Sequence, residues 1–250
     1  MNIHFDNQVV AVSGAGHGIG RTIAETFAGL GARVYACDLS GSELAETAKS
    51  GVHVQALDLT DRAAAAAWIA AIEQDSGRAI DVLANNAGGV AGQVGKPLES
   101  VTDEEWDRIF AVNVGGAFVL SRAAAPAMKR AGRGRIVTTS SGAGLQASLT
   151  GIQAYCSAKH AVVGLTRQLA HELGPFGITV NSVAPGLIPS NPTSAAQWDS
   201  YGADGQRAMV ERIAMKRLGT TQDIANAVVF FASDLASFVN GQVLSVDGGR

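Results

Sequence analysis

Tyr155 and Lys159 stand four positions apart in "QAYCSAKHAV", residues 153–162, a stretch that otherwise reads as an ordinary helix. Residues at i and i+4 share one helix face, so a phenol and an ammonium there can converge on a single ligand. A free tyrosine has a pKa near 10 and is a poor base at neutral pH. A cation about 4 Å away, at an effective dielectric of about 20, is worth roughly 4 kcal/mol or about 3 pKa units, which brings the phenol into range for general acid/base work. Taken alone, such a pair is more often a surface pair, so the chemistry needs support from other residues.

A second group of residues offers phosphate binding. Gly14, Gly18 and Gly20 in "SGAGHGIGRTIAETFAGLG" follow an apolar strand and open an amphipathic helix. Glycines there allow a tight turn, close approach of backbone amides to a pyrophosphate, and close packing of the helix on the sheet. The spacing is G-x-x-x-G-x-G, with His17 inside the loop and Ile19 where the third glycine of G-x-G-x-x-G would fall. Asp38, twenty residues beyond Gly18, ends the second strand. A carboxylate there can accept both adenosine ribose hydroxyls and repels a 2'-phosphate, which favours NAD over NADP. Asp58 ends the third strand, where either an adenine contact or a helix N-cap suits it.

These residues need a scaffold. Short β-branched runs recur at 9–13, 33–37, 52–57, 80–85, 135–140, 178–184 and 242–246, separated by stretches with a 3.6-residue period. The strands are apolar almost throughout, which predicts an α/β fold: one Rossmann-type, doubly wound parallel sheet of about seven strands, flanked by helices on both faces. No linker or repeat divides the chain, so 1–250 is expected to be one domain. The irregular stretch 186–205, "GLIPSNPTSAAQWDSYGADG", is expected to form a substrate lid at about 187–215, anchored by a helical "QRAMVERIAMKRL".

Composition narrows the function. The 250 residues are 47% hydrophobic and 16% charged with a net charge of -3, which describes a globular protein with no electrostatic footprint for nucleic acid or anionic lipid. The longest apolar run, 63–72, is about half of what a bilayer span requires. The N-terminus has no secretory pattern, so a cytoplasmic location is expected. Cys37 and Cys156 are expected to be buried free thiols, and the five histidines never cluster at ligand spacing, so no metal is expected.

The chain resembles the short-chain dehydrogenase/reductase family from residue 9 to residue 249. The motifs that carry the resemblance are Gly14-x-x-x-Gly18-x-Gly20, Asn85-Asn86-Ala87-Gly88, Asn113, Ser141, Tyr155-x-x-x-Lys159, Pro185-Gly186 and Asp247-Gly248-Gly249. The resemblance implies hydride transfer between a secondary alcohol or ketone and NAD. Tyr155 would act as acid/base, Lys159 would lower its pKa and hold the nicotinamide ribose, Ser141 would orient the substrate oxygen, and Asn113 would link Lys159 to solvent. It also implies cofactor contacts from Leu59, Asn85, Ala87, Gly88, Pro185, Gly186 and Ile188. Ser141 lies fourteen residues before Tyr155, one more than the family spacing, which leaves Ser140 as the alternative.

Substrate contacts are expected from Gln146, Gln153 and Asn191, with Ser190, Thr193 and Gln197 nearby on the lid. Their polarity favours a sugar, polyol or deoxy keto-sugar acid. Trp198 and Tyr201 pull towards a steroid or dihydrodiol. A 3-oxoacyl thioester reductase and a non-catalytic dinucleotide sensor are the rival readings. The helix at about 104–129 is apolar on more than one face, which suggests that a second subunit covers it, and the resemblance points to a homotetramer.

Overall fold

The computed structural model describes residues 3–250. In its first half, β1 (Val9–Ser13), α1 (Gly18–Gly29), β2 (Arg33–Asp38), α2 (Gly41–Ala48), β3 (His53–Ala56), α3 (Arg62–Ser76) and β4 (Val82–Asn85) alternate. A long helix in two parts follows, α4 (Asp103–Phe110) and α5 (Gly116–Ala131), then β5 (Gly134–Thr139), α6 (Gln153–Leu173) and β6 (Ile178–Pro185). Helices α7 (Pro192–Ser200), α8 (Gly202–Arg212) and α9 (Thr221–Ala232) precede β7 (Val243–Val246). All seven strands are parallel in the order β3-β2-β1-β4-β5-β6-β7. The expected single α/β domain with one seven-stranded sheet is what forms.

Strand residues are apolar at consecutive positions because each face of the sheet has its own core. Val10, Val12, Val34 and Ala36 pack against Ile23 and Phe27 of α1 and Ile224 and Val228 of α9. Their neighbours Val9, Ala11, Tyr35 and Cys37 point the other way, onto Trp68 and Ile69 of α3 and Val119 and Leu120 of α5. A period of two with both faces covered erases the alternation that a half-exposed strand would show. The edges depart from that rule. All four β3 residues are exposed, and β7 is only half covered.

One other expectation is corrected. The stretch 186–205 is not irregular: Asn191 caps α7, its Oδ1 accepting from Ser194 N at 2.9 Å, and Pro192 occupies the first turn. The segment expected to be a lid forms two helices, α7 and α8, and the second ends at Arg212, short of the predicted 218. Within one chain the long helix is covered on only part of its surface. Ile109, Val119, Leu120 and Met128 enter the cores, while Phe118 remains exposed under the Arg122 guanidinium, 5.3 Å from its ring centroid. Among the described residues, Asp103–Ala131 is the one helix long and apolar enough by length and composition to cross a membrane, although the longest apolar run in the sequence, at 63–72, is too short to do so. It is apolar here because α3 and α6 pack against it.

Candidate active site

The strand order reverses between β1 and β4, and loops leaving the carboxyl ends of those strands part there to form a crevice. The two loops are tied across it. Ser13 Oγ accepts from Asn86 N and Ala87 N at 3.2 Å, and Asn86 Nδ2 donates to Gly14 O at 3.0 Å. A Cβ on Gly20 would lie 1.9 Å from Gly14 O, and Gly14 itself has φ of +69°. Glycine is therefore demanded at both positions by close approach and by backbone conformation. His17 precedes α1 without a side-chain cap, and the first turn holds no acidic residue. Its amide groups are thus left to an external acceptor, the arrangement a pyrophosphate fits.

A cavity of about 1150 Å³ runs from this loop to the lid, lined at one end by Gly14, His17, Ile19, Gly20, Asp38, Asp58 and Leu59. Asp38 Oδ2 accepts from Gly16 N at 2.8 Å and its Oδ1 from Leu39 N at 2.7 Å, which fixes the carboxylate at the cavity wall. A Cβ on Gly16 would fall 2.9 Å from Asp38 Cγ, so this fourth glycine of the loop, not singled out by the motif, makes room for the acid. Asp58 Oδ1 accepts from Thr60 N and Thr60 Oγ1 at 2.9 and 2.8 Å, and the backbone amide above all holds its pKa below the usual carboxylate range. It does not cap α3. That role belongs to Asp61, which accepts from Ala63 N and Ala64 N at 3.0 Å.

The middle of the cavity holds Ser141, Tyr155 and Lys159, with Ala87, Gly88, Pro185, Gly186 and Ile188 around them. Burial pushes the Tyr155 phenol above its ordinary pKa, against a lowering by the Ser141 hydroxyl that hydrogen-bonds it. Burial also brings the Lys159 ammonium down to about 8. Its Nζ donates to Thr139 O at 2.9 Å and lies 5.7 Å from the Tyr155 ring centroid. The expected net lowering of the phenol is therefore not found in the chain alone, where desolvation prevails. Of the two candidate serines, both line the cavity; Ser140 is buried with its Oγ donating to Lys159 O at 3.0 Å, whereas the Ser141 hydroxyl is the one that reaches the phenol.

Four of the expected residues do not line this cavity. Asn113 sits in a π-bulge, Ala111–Gly115, with its Nδ2 donating to Gly89 O and Ile109 O and its Oδ1 accepting from Gly89 N. Its side chain clamps the loop after β4, and its Oδ1 and Lys159 Nζ flank Gly88, where a Cβ would lie 2.5 and 3.2 Å from them. Asn85 points into the core, where its Nδ2 donates to Ser121 Oγ at 3.0 Å, and the adjacent Asn86 faces the cavity instead. Strand parity could have separated the two. Gly18 packs against the root of the lid, where a Cβ would meet Ser190 O at 2.8 Å. Gln153 donates to Lys96 O at 3.0 Å, so it secures the 89–97 loop and does not face the pocket.

At the lid end, Gln146 and Asn191 line the cavity with Ser190, Thr193, Gln197 and Tyr201, whereas Trp198 stacks edge-on against Tyr201 outside it. Gln93, Val94, Leu149 and Arg250 also line the cavity and carry no motif that would reveal them in the sequence. Cys156 is only half-buried, its thiol facing Ala143 O at 3.3 Å, and Cys37 is fully buried.

The family model described as enoyl-(acyl carrier protein) reductase matches residues 14–250. The chain is 37% identical to 3-oxoacyl-(acyl-carrier-protein) reductase FabG of Escherichia coli over 252 residues, 99% of this chain and 98% of that protein. It is 38% identical to 2-(R)-hydroxypropyl-CoM dehydrogenase of Xanthobacter autotrophicus over 249 residues, 97% of this chain and 98% of that protein. The structure of a 7α-hydroxysteroid dehydrogenase in complex with NADH and 7-oxo glycochenodeoxycholic acid superposes with a TM-score of 0.90 at 33% identity, covering 99% of this chain and 96% of that one. Full-length matches of this kind, on a sheet whose glycine turn and Tyr-x-x-x-Lys helix open onto one crevice, make the chain a member of the short-chain dehydrogenase/reductase family of oxidoreductases.

Proposed function

We propose that this protein is an NAD-dependent dehydrogenase of secondary alcohols, with Tyr155 as the proton-transferring group and a polar substrate of the sugar, polyol or deoxy keto-sugar acid class. The observation that carries the reading is the convergence of Ser141, Tyr155 and Lys159 on the same cavity that Asp38 lines at its far end. Gly14, Gly20 and the uncapped start of α1 would hold the pyrophosphate, and Asp38 the adenosine ribose. When bound, an oxidised nicotinamide dinucleotide supplies the hydride acceptor and a positive charge beside the phenol.

Tyr155 Oη takes the proton from the substrate hydroxyl in oxidation and returns it in reduction. Ser141 donates to the same oxygen and orients it, an effect of a preorganised dipole. Lys159, anchored on Thr139 O, keeps a positive charge beneath the site and holds the nicotinamide ribose. Asn113 acts as a positioning residue through Gly89. The protein assembles as a homotetramer, in keeping with the exposed Trp106, Phe118, Leu235 and Phe238.

Reduction of 3-oxoacyl thioesters is the second reading, favoured by the likeness to FabG. It is weakened by Asp38, whose carboxylate opposes a 2'-phosphate. The decisive experiment is Tyr155→Phe, assayed at the nicotinamide absorbance with NAD and a panel of polyols and sugar acids. Turnover should fall by at least about a thousandfold with NADH affinity unchanged; a variant that keeps about a tenth of its activity removes Tyr155 from proton transfer.

A further inference from the structure

The cavity carries its charges in separate places. Its carboxylates, Asp38, Glu43 and Asp58, all lie at the dinucleotide end. Its basic side chains are His17 in the glycine loop, Lys159 beside Tyr155, and Arg250. His17 Nε2 faces Glu43 at 4.0 Å, and Lys159 is committed to Thr139 O. Arg250 is different. Among the basic side chains that line the cavity, it is the one whose charged group has neither a carboxylate nor a carbonyl partner among the described residues.

The backbone that delivers Arg250 is tied down. Asp247 Oδ1 accepts from Gly249 N at 3.0 Å and from Arg250 N at 3.4 Å. Met215 N donates to Gly248 O at 3.1 Å and Ala214 N to Gly249 O at 3.4 Å, so the segment lies along the chain leaving α8. Gly248 is needed for this course: its φ is +74°, and a Cβ there would stand 2.7 Å from Ile213 Cγ2. An arginine is thus presented to the cavity on an ordered stem, with no protein acid to neutralise it.

We propose that Arg250 is a specificity-determining residue, and that the substrate carries an oxyanion, a carboxylate, sulfonate or phosphate, on the side of the carbinol away from the dinucleotide. This rests on the dehydrogenase reading above. The planar guanidinium fork matches an oxyanion with two parallel hydrogen bonds. Apart from Asp38, Glu43 and Asp58, no carboxylate side chain lines the cavity to repel such a group. The chain's net charge of -3 provides no general field to gather anions, so their retention has to be local. Ser190, Asn191, Thr193 and Gln197 add neutral hydrogen-bonding groups around the same end.

The test compares Arg250→Gln and Arg250→Lys with the unaltered full-length enzyme on matched acid and neutral alcohols: gluconate against sorbitol, and 3-hydroxybutyrate against its ethyl ester. NADH affinity is measured in parallel by nicotinamide fluorescence. KM for the acids should rise about tenfold or more in Arg250→Gln with kcat within about twofold, the neutral partners unaffected and Arg250→Lys intermediate. An equal loss on the neutral partners overturns the proposal. A fall in NADH affinity also overturns it, because the guanidinium would then serve the dinucleotide pyrophosphate. Titration of the enzyme–NADH complex with each acid gives a readout that does not need turnover. Weaker binding in Arg250→Gln supports the proposal, and equal binding, or no binding to the unaltered enzyme, overturns it. Failure of the dehydrogenase reading shows separately, as activity retained by Tyr155→Phe.

Discussion

Tyr155 and Lys159 each resist the charge state that proton transfer requires, because burial disfavours the phenolate and the ammonium alike. With its pKa near 8, Lys159 still carries a proton at neutral pH, and its bond to Thr139 O compensates part of the lost hydration. The residue roles were readable from type and spacing. Their balance was not, since a spacing of four fixes a shared helix face but not how much water burial removes from each group. Asp38 carries the cofactor argument at this scale. In Asp38→Ala combined with Leu39→Arg, repulsion is exchanged for a charge-assisted bond, so the ratio of kcat/KM with NADP to that with NAD should rise by about 10- to 100-fold. An unchanged ratio in steady-state kinetics would show that Asp38 does not face the ribose.

Elements decide which side of a strand end or loop a residue occupies. Asn85 and Asn86 are consecutive, yet the pleat sends one to Ser121 and lets the other cross to Gly14 O. Gln153 precedes the reacting tyrosine by two positions, which turns it away from the cavity to the 89–97 loop. Proline and small polar residues made 186–205 look irregular, but Pro192 at the first turn and the Asn191/Ser194 capping box favour a helix there. Capping also separates Asp58 from Asp61. Asp61→Ala should cost about 1 kcal/mol and lower Tm by about 2–4 °C in calorimetry while leaving kcat/KM unchanged. A matching loss of activity would mean that α3 positions the adenosine end of the site.

At the scale of the molecule, one parallel sheet brings residues 14, 38, 86, 141 and 155 to a single edge, because every parallel strand ends on the same side. Trp106, Phe118, Leu235 and Phe238 are large apolar side chains left exposed by the single chain, and the proposed tetramer would cover them. Sedimentation velocity should therefore report a particle of four 25.6 kDa chains, and a monomer at micromolar concentration would refute the tetramer.

From the sequence alone, the fold class, the seven strands, the glycine turn, Asp38 and the Ser141, Tyr155 and Lys159 set could be read, because each depends on local periodicity or on short spacings that backbone geometry converts into a shared face. Tertiary structure decided the rest: that Asn86 and not Asn85 lines the cavity, that Ser140 bonds Lys159 O while Ser141 reaches the phenol, that Asn113 clamps the loop after β4, and that Arg250 arrives at a cavity whose other walls lie far away along the chain. Those outcomes depend on which segments pack against one another and which polar groups burial obliges to pair, and neither is encoded in the spacing of neighbours.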